Sequence, residues 1–127
     1  MTLTASDLSD LTLWRRHLHT MPEVSGEEHQ TAAEVVRFME TTEPDVIVSG
    51  LGHTGVAAVF KGHAPGPTVM FRCELDALPI AELSDLPYRS QIAGKGHMCG
   101  HDGHMATLAA LALAFQRRRP SRGRVVL

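Results

Sequence analysis

A chain of 127 residues, 43% apolar and 20% charged, has the composition of one globular domain, long enough to bury a core without disulfides. Its formal net charge of -2 gives no electrostatic case for a nucleic-acid partner, and no apolar run reaches the roughly 18 residues that span a bilayer. Two cysteines are too few for a disulfide framework, and residues 1–7 lack the basic and apolar regions of a secretory signal; the expected location is the cytoplasm, with a thiol free for chemistry.

The first predicted element is a helix over Leu8–His19, with apolar residues at 8, 11, 14 and 18 and Pro22 just past its end. A second helix follows Ser25-Gly26-Glu27-Glu28, which matches a capping box with Ser25 as N-cap. It places Ala32, Val35, Val36 and Met39 on one face and ends near Thr41 to Pro44. The pattern then changes. Residues 46–48, 56–60 and 68–71 are short apolar runs, largely β-branched, separated by Gly50, Gly52, Gly55, Gly62 and Pro65-Gly66-Pro67, and they read as strands. Cys73, at the end of the third strand, reads as a small buried hydrophobe. Residues 76–93 read as a loop punctuated by Pro79 and Pro87. The alanine- and leucine-rich run 106–114 predicts a helix from about Asp102 to Arg119, with Arg117-Arg118-Arg119 as a solvated basic terminus favoured by the helix dipole. Residues 123–127 open another strand. This order predicts an α/β domain, helices layered on a mixed sheet. A lone terminal strand would expose hydrogen-bonding groups, so the expectation is that Leu127 falls inside a longer protein.

The chemistry concentrates ahead of the last helix. Residues 97–104 hold a thiol, three imidazoles and a carboxylate, with glycines between them. Thiolate and neutral imidazole are preferred donors for zinc. On a helix, Cys99 and His101 would point roughly 200° apart. On a turning segment with Gly100 between them, both can reach one ion. Cys99 and His101 are therefore the candidate metal ligands. Asp102, Asp76 and Glu74 are available to hold an imidazole from behind or to bind directly. His97 and His104 read as hydrogen-bonding or substrate-facing residues. A closed structural zinc site, completed by His97 or His104, is the alternative from the same residues. Neither a P-loop nor a Gly-x-Ser-x-Gly elbow is present.

The segment Gly96-His97-Met98-Cys99-Gly100-His101-Asp102-Gly103-His104-Met105-Ala106 resembles the metal-binding signature of M20-type metallopeptidases. The likeness is to the amidohydrolase branch that cleaves N-acyl amino acids, hippurate and auxin–amino acid conjugates. Phe71-Arg72-Cys73-Glu74-Leu75-Asp76-Ala77-Leu78-Pro79-Ile80 is similar to that branch's Arg-Ala-Asp-Met-Asp-Ala-Leu-Pro-Ile block, departing from it at Cys73 and Glu74. Residues 16–28 resemble its N-terminal His-x-x-Pro-Glu block, through His19, Pro22 and Glu23. The resemblance implies a zinc-peptidase-like catalytic domain that activates water on two divalent ions, zinc or manganese, with cobalt or nickel as further candidates. It implies that Cys99 bridges the ions, that His101 binds one of them, and that Asp76 lies behind the ligands. It implies a small N-acyl amino acid or peptide as substrate, and neither nucleic acid nor membrane as partner. The family's glutamate pair, one of them the general base, follows the next strand. Here the last glutamate is Glu82 and the last acidic residue Asp102. Residues 1–127 are thus expected to be the N-terminal part of the catalytic domain, without the lid or dimerisation domain that would make the full-length protein a homodimer. The competing expectation for the chain by itself is an inactive fragment or module with an incomplete metal site.

Overall fold

The computed structural model describes residues 3–127, which form three helices and a four-stranded sheet. Helix α1 (Ala5–Thr20) begins with a capping box. The Asp7 N–H donates to Thr4 Oγ1 at 3.2 Å, and Asp7 Oδ2 accepts from the Thr4 N–H at 2.6 Å. Leu11 and Leu18 face the core and Trp14 packs on Phe38, but Leu8 is exposed, because at about 100° per residue it lies some way round the helix from the Leu11 and Leu18 face.

Helix α2 (His29–Glu40) buries Thr31, Val35 and Met39. The capping box predicted at Ser25 does not form. The Glu28 carboxylate turns back to the Gly26 N–H at 2.8 Å and the Thr54 hydroxyl at 3.0 Å. The free N–H groups of Gln30 and Thr31 donate instead to Glu23, at 3.2 and 2.7 Å. A carboxylate suits that position, where the helix dipole is positive.

Strands β1 (Val46–Leu51) and β2 (Gly55–Lys61) form an antiparallel hairpin in which Val46 lies opposite Val59, with a register shift near Gly50. Strand β4 (Arg124–Val126) pairs antiparallel with β2 and parallel with β3 (Thr68–Met70), giving the order β1-β2-β4-β3. Parallel neighbours need a crossover, and helix α3 (His101–Arg117) supplies it after a long loop. The sheet is therefore mixed, as expected. Phe60, Ala58, Leu18, Met105, Ala112, Val125 and Leu127 form the core between sheet and helices. No helix among the described residues is long and apolar enough to cross a membrane.

Helices α1 and α3 run antiparallel. Arg117, near the end of α3, grips Asp7 in the first turn of α1 through two bonds of 2.7 and 2.6 Å. Arg119 pairs with Asp45 at 2.9 Å. Two of the three terminal arginines thus tie elements together rather than simply being solvated, because the helix end abuts carboxylates distant in sequence. Cys73 is partly buried against the core, and burial, then the Glu74 charge, pushes its thiol up to about 11.

The turn into β4 depends on one glycine. Gly123 has φ +73°, and a Cβ there would lie 2.0 Å from the Pro67 carbonyl oxygen. Gly123→Ala combines a left-handed backbone with a backbone clash and is expected to destabilise the chain by about 3 kcal/mol or more. Urea unfolding checks this; a change below about 1 kcal/mol would show that the turn yields easily.

Candidate metal centre

Strand β3 runs into an extended segment that carries Glu74 and Asp76 past the N-terminus of α3. Two short bridges hold that segment. The Ala77 N–H donates to the Glu23 carbonyl at 2.7 Å, and Leu78 and Gly96 exchange two bonds of 3.0 Å. Gly100 caps α3 in the left-handed region, with φ 79° and ψ 19°, so the backbone turns sharply between Cys99 and His101. The arrangement sits at the carboxyl end of a parallel strand, where α/β sheets place their ligands.

Glu74, His101 and His104 converge there. One donor atom from each lies within 4.8 Å of the other two. The His101 Nδ1–H faces the Asp76 carbonyl at 2.8 Å and Asp76 Oδ1 at 3.0 Å. Both partners only accept, so Nδ1 donates and the lone pair lies on Nε2. That Nε2 is 3.9 Å from Glu74 Oε2, and His104 Nδ1 is 3.2 Å from the same oxygen. Metal–donor bonds of roughly 2.1 Å set tetrahedral donors about 3.4 Å apart, so this spacing fits one divalent ion. The hydrogen bond from His104 is the main cause holding the Glu74 carboxyl below its ordinary range, with smaller help from His101 and Arg72 against the effect of burial. Glu74 is thus an anion ready to bind a cation. His101 is only 14% exposed at its side chain, His104 56%. The cluster is anchored on one side and open on the other. Three protein donors with an open face match a catalytic centre better than a closed structural shell.

The predicted residues distribute as follows. His101 lies at the centre of the cluster, and Asp76 stands behind it, orienting its ring. Glu74 and His104 join it, though their pairing spans 30 positions and only Glu74's place in the Glu74-Leu75-Asp76 block hinted at it. Cys99 is exposed on the preceding loop and is not one of the three clustered donors. Asp102 is buried and turned away, accepting from His19 Nδ1 at 2.8 Å and Arg15 at 3.0 Å. His97 is 5% exposed, with no hydrogen-bond partner for either ring nitrogen among the described residues. Burial, the largest cause, pushes its pKa down and favours the neutral ring.

Beside the cluster, the loop 81–95 wraps around Glu82. Its carboxylate accepts from Ser84 Oγ at 2.6 Å, the Ser90 N–H at 2.6 Å and His19 Nε2 at 3.2 Å. Burial alone would raise the pKa of Glu82, but these bonds outweigh it and hold it at about 2. A folded-state value below the ordinary 4.5 means that the unfolded chain binds the proton more tightly. Stability from Glu82 is therefore complete above pH 4.5 and lost as pH falls towards 2. Urea midpoints measured across that window should fall, and Glu82→Gln should flatten the fall; equal slopes in both proteins would contradict the assignment.

Comparison with known proteins bears on this centre. Residues 70–127 match the family model described as Peptidase family M20/M25/M40. The chain is 39% identical over 111 residues to an N-acyl-L-amino acid amidohydrolase of Geobacillus stearothermophilus, covering 87% of this chain and 30% of that protein. It is 38% identical over 105 residues to an N-acetylcysteine deacetylase of Bacillus subtilis, covering 83% of this chain and 28% of that one. The crystal structure of the YXEP protein of Bacillus subtilis, a dinuclear metal-binding peptidase of the M20 family, superimposes with a TM-score of 0.91 at 34% identity, over 98% of this chain and 35% of that one. The chain thus spans about a third or less of the length of these proteins.

Proposed function

The chain belongs to peptidase family M20/M25/M40, and on that premise we propose that it supplies one wall of a divalent-metal centre that hydrolyses the amide bond of N-acyl amino acids. The observation that carries the reading is the convergence of Glu74, His101 and His104 at the carboxyl end of β3. The relatives named as N-acyl-L-amino acid amidohydrolase and N-acetylcysteine deacetylase point to the substrate class, and the dinuclear structure similar to this chain points to two ions. Cys99, exposed and two residues before His101, would be the sulfur donor that helps to hold the ions. Thiolate and imidazole suit zinc, and carboxylate suits manganese, so either metal fits the donor set. Residues 1–127 act in this reading as the N-terminal part of the catalytic domain. The free thiols of Cys73 and Cys99 agree with work in the reducing cytoplasm.

When bound, the metal supplies Lewis acidity and an acidified water. The rest falls to the chain. Asp76 fixes the tautomer of His101 by accepting its Nδ1 proton, leaving Nε2 to bind. Glu74 places a negative charge beside both imidazoles and neutralises part of a cation's charge. Its proximity also orients His104, whose exposed ring borders the opening through which a substrate would approach. The proton-transferring carboxylate is not assigned to any residue of this chain.

The test is hydrolysis of N-acetyl-L-amino acids by a protein carrying this chain completed to the length of its relatives. Activity should vanish on exhaustive chelation and return with Mn2+ or Zn2+. Activity that survives chelation would contradict the reading. Residues 1–127 alone should bind metal weakly and turn over negligibly.

A further inference from the structure

Behind the metal centre, and outside it, lies a second buried polar cluster. His19, at the end of α1, is 7% exposed. Its Nδ1 meets Asp102 Oδ2 at 2.8 Å, and its Nε2 meets Glu82 Oε1 at 3.2 Å. Carboxylates only accept, so both ring nitrogens donate. Arg15, one turn earlier, adds a bond of 3.0 Å to the same Asp102 oxygen. The imidazole of His19 and the guanidinium of Arg15 therefore face two carboxylates in a space that excludes most water. Tyr88 closes the outer side. Its ring meets His19 edge-on at 5.8 Å and lies under the Arg15 and Arg16 guanidinium groups at 5.1 and 4.6 Å. The three elements joined are α1, the loop 81–95 and the first turn of α3. That first turn is the one presenting His101 and His104.

We propose that His19 is a positioning residue for the metal centre: by bridging Glu82 and Asp102 it locks the loop 81–95 and α1 onto the first turn of α3, and so sets where His101 and His104 present their nitrogens. The proposal rests on the metal reading given above. His19 touches neither an ion nor a substrate; it acts through Asp102, the neighbour of His101. A ring held from both sides transmits displacement of either partner, because moving Glu82 leaves His19 unable to keep both bonds straight. Asp102 is thereby assigned to the scaffold of the centre, and the loop 81–95 to its support.

The experiment uses the 127-residue chain, with Co2+ as the probe, and compares wild type, Glu82→Gln and His19→Gln. Three quantities are read: Co2+ affinity with the visible absorption of the bound ion, amide hydrogen exchange at Gly103 and His104, and the melting temperature. Glu82→Gln keeps the shape of the side chain but removes the charge that His19 bridges. It should weaken Co2+ binding about tenfold, shift the visible spectrum and quicken exchange at Gly103 and His104 severalfold, as supports of metal ligands do. His19→Gln should do the same more strongly; if it does not fold, Glu82→Gln decides alone. Wild-type exchange at those amides in Glu82→Gln overturns the proposal, whatever happens to the melting temperature, because a merely structural contact would move only the latter. Weak Co2+ uptake by the wild-type chain accords with its being one wall of the centre; the exchange comparison then decides the positioning role alone, and the chelation test above decides the metal reading.

Discussion

Asp102→Ala should remove about 3–5 kcal/mol of stability, the largest loss from any single side chain beside the site. Asp102 is 3% exposed and accepts from His19 Nδ1 and Arg15. Burial works against its charge, but the His19 and Arg15 bonds hold its carboxyl below the ordinary range. Alanine would leave those two donors facing one another with a single carboxylate, Glu82, between them and the loop. It would also take an acid from the first turn of α3, where the helix dipole favours one. Against a total of roughly 5–15 kcal/mol for a domain, that loss is a large share. Asp102→Asn keeps an acceptor in place and should lose less. Urea unfolding of both variants at neutral pH checks this; an alanine variant within about 0.5 kcal/mol of wild type would show that the cluster is solvated and weak.

His101→Ala should weaken divalent-metal binding by more than about 100-fold, or roughly 2.7 kcal/mol, while leaving the fold nearly as stable as before. His101 is the donor that the structure orients most firmly, with Asp76 gripping its Nδ1 through two oxygens. It opens α3, where alanine is a good helix former. His104→Ala should weaken binding less, since its exposed ring pays rotamer entropy to bind and has only Glu74 to hold it. Calorimetric titration with Mn2+ or Zn2+ and a thermal melt separate the two effects. A His101 variant that binds as tightly as wild type would place the ion elsewhere.

The order of elements was readable because each leaves a local pattern. Helical spacing marked α1, the alanine- and leucine-rich run 106–114 marked α3, and β-branched runs between glycines marked the strands. The chemistry of residues 97–104 was equally local. What escaped was long-range. Thr4-Ala5-Ser6-Asp7 and Ser25-Gly26-Glu27-Glu28 carry the same capping pattern, yet only the first forms, because Glu28 finds better partners in Gly26 and Thr54. Glu23 serves α2 in its place, a contact across eight residues that no spacing rule predicts. Glu74 reaches His104 only because the bridges at Ala77 and Leu78 fix the path of an irregular segment. His19 and Asp102 lie 83 residues apart, and their pairing follows from the antiparallel packing of α1 on α3. Asp102 read as a carboxylate available to hold an imidazole from behind or to bind directly; the imidazole it meets is that of His19.

Anomalous diffraction from crystals of the chain grown with Mn2+ or Zn2+ tests the central claim most directly. The account predicts a peak roughly 2.0–2.2 Å from both His101 Nε2 and a Glu74 carboxylate oxygen. A metal bound with both of those groups left uncoordinated would contradict it.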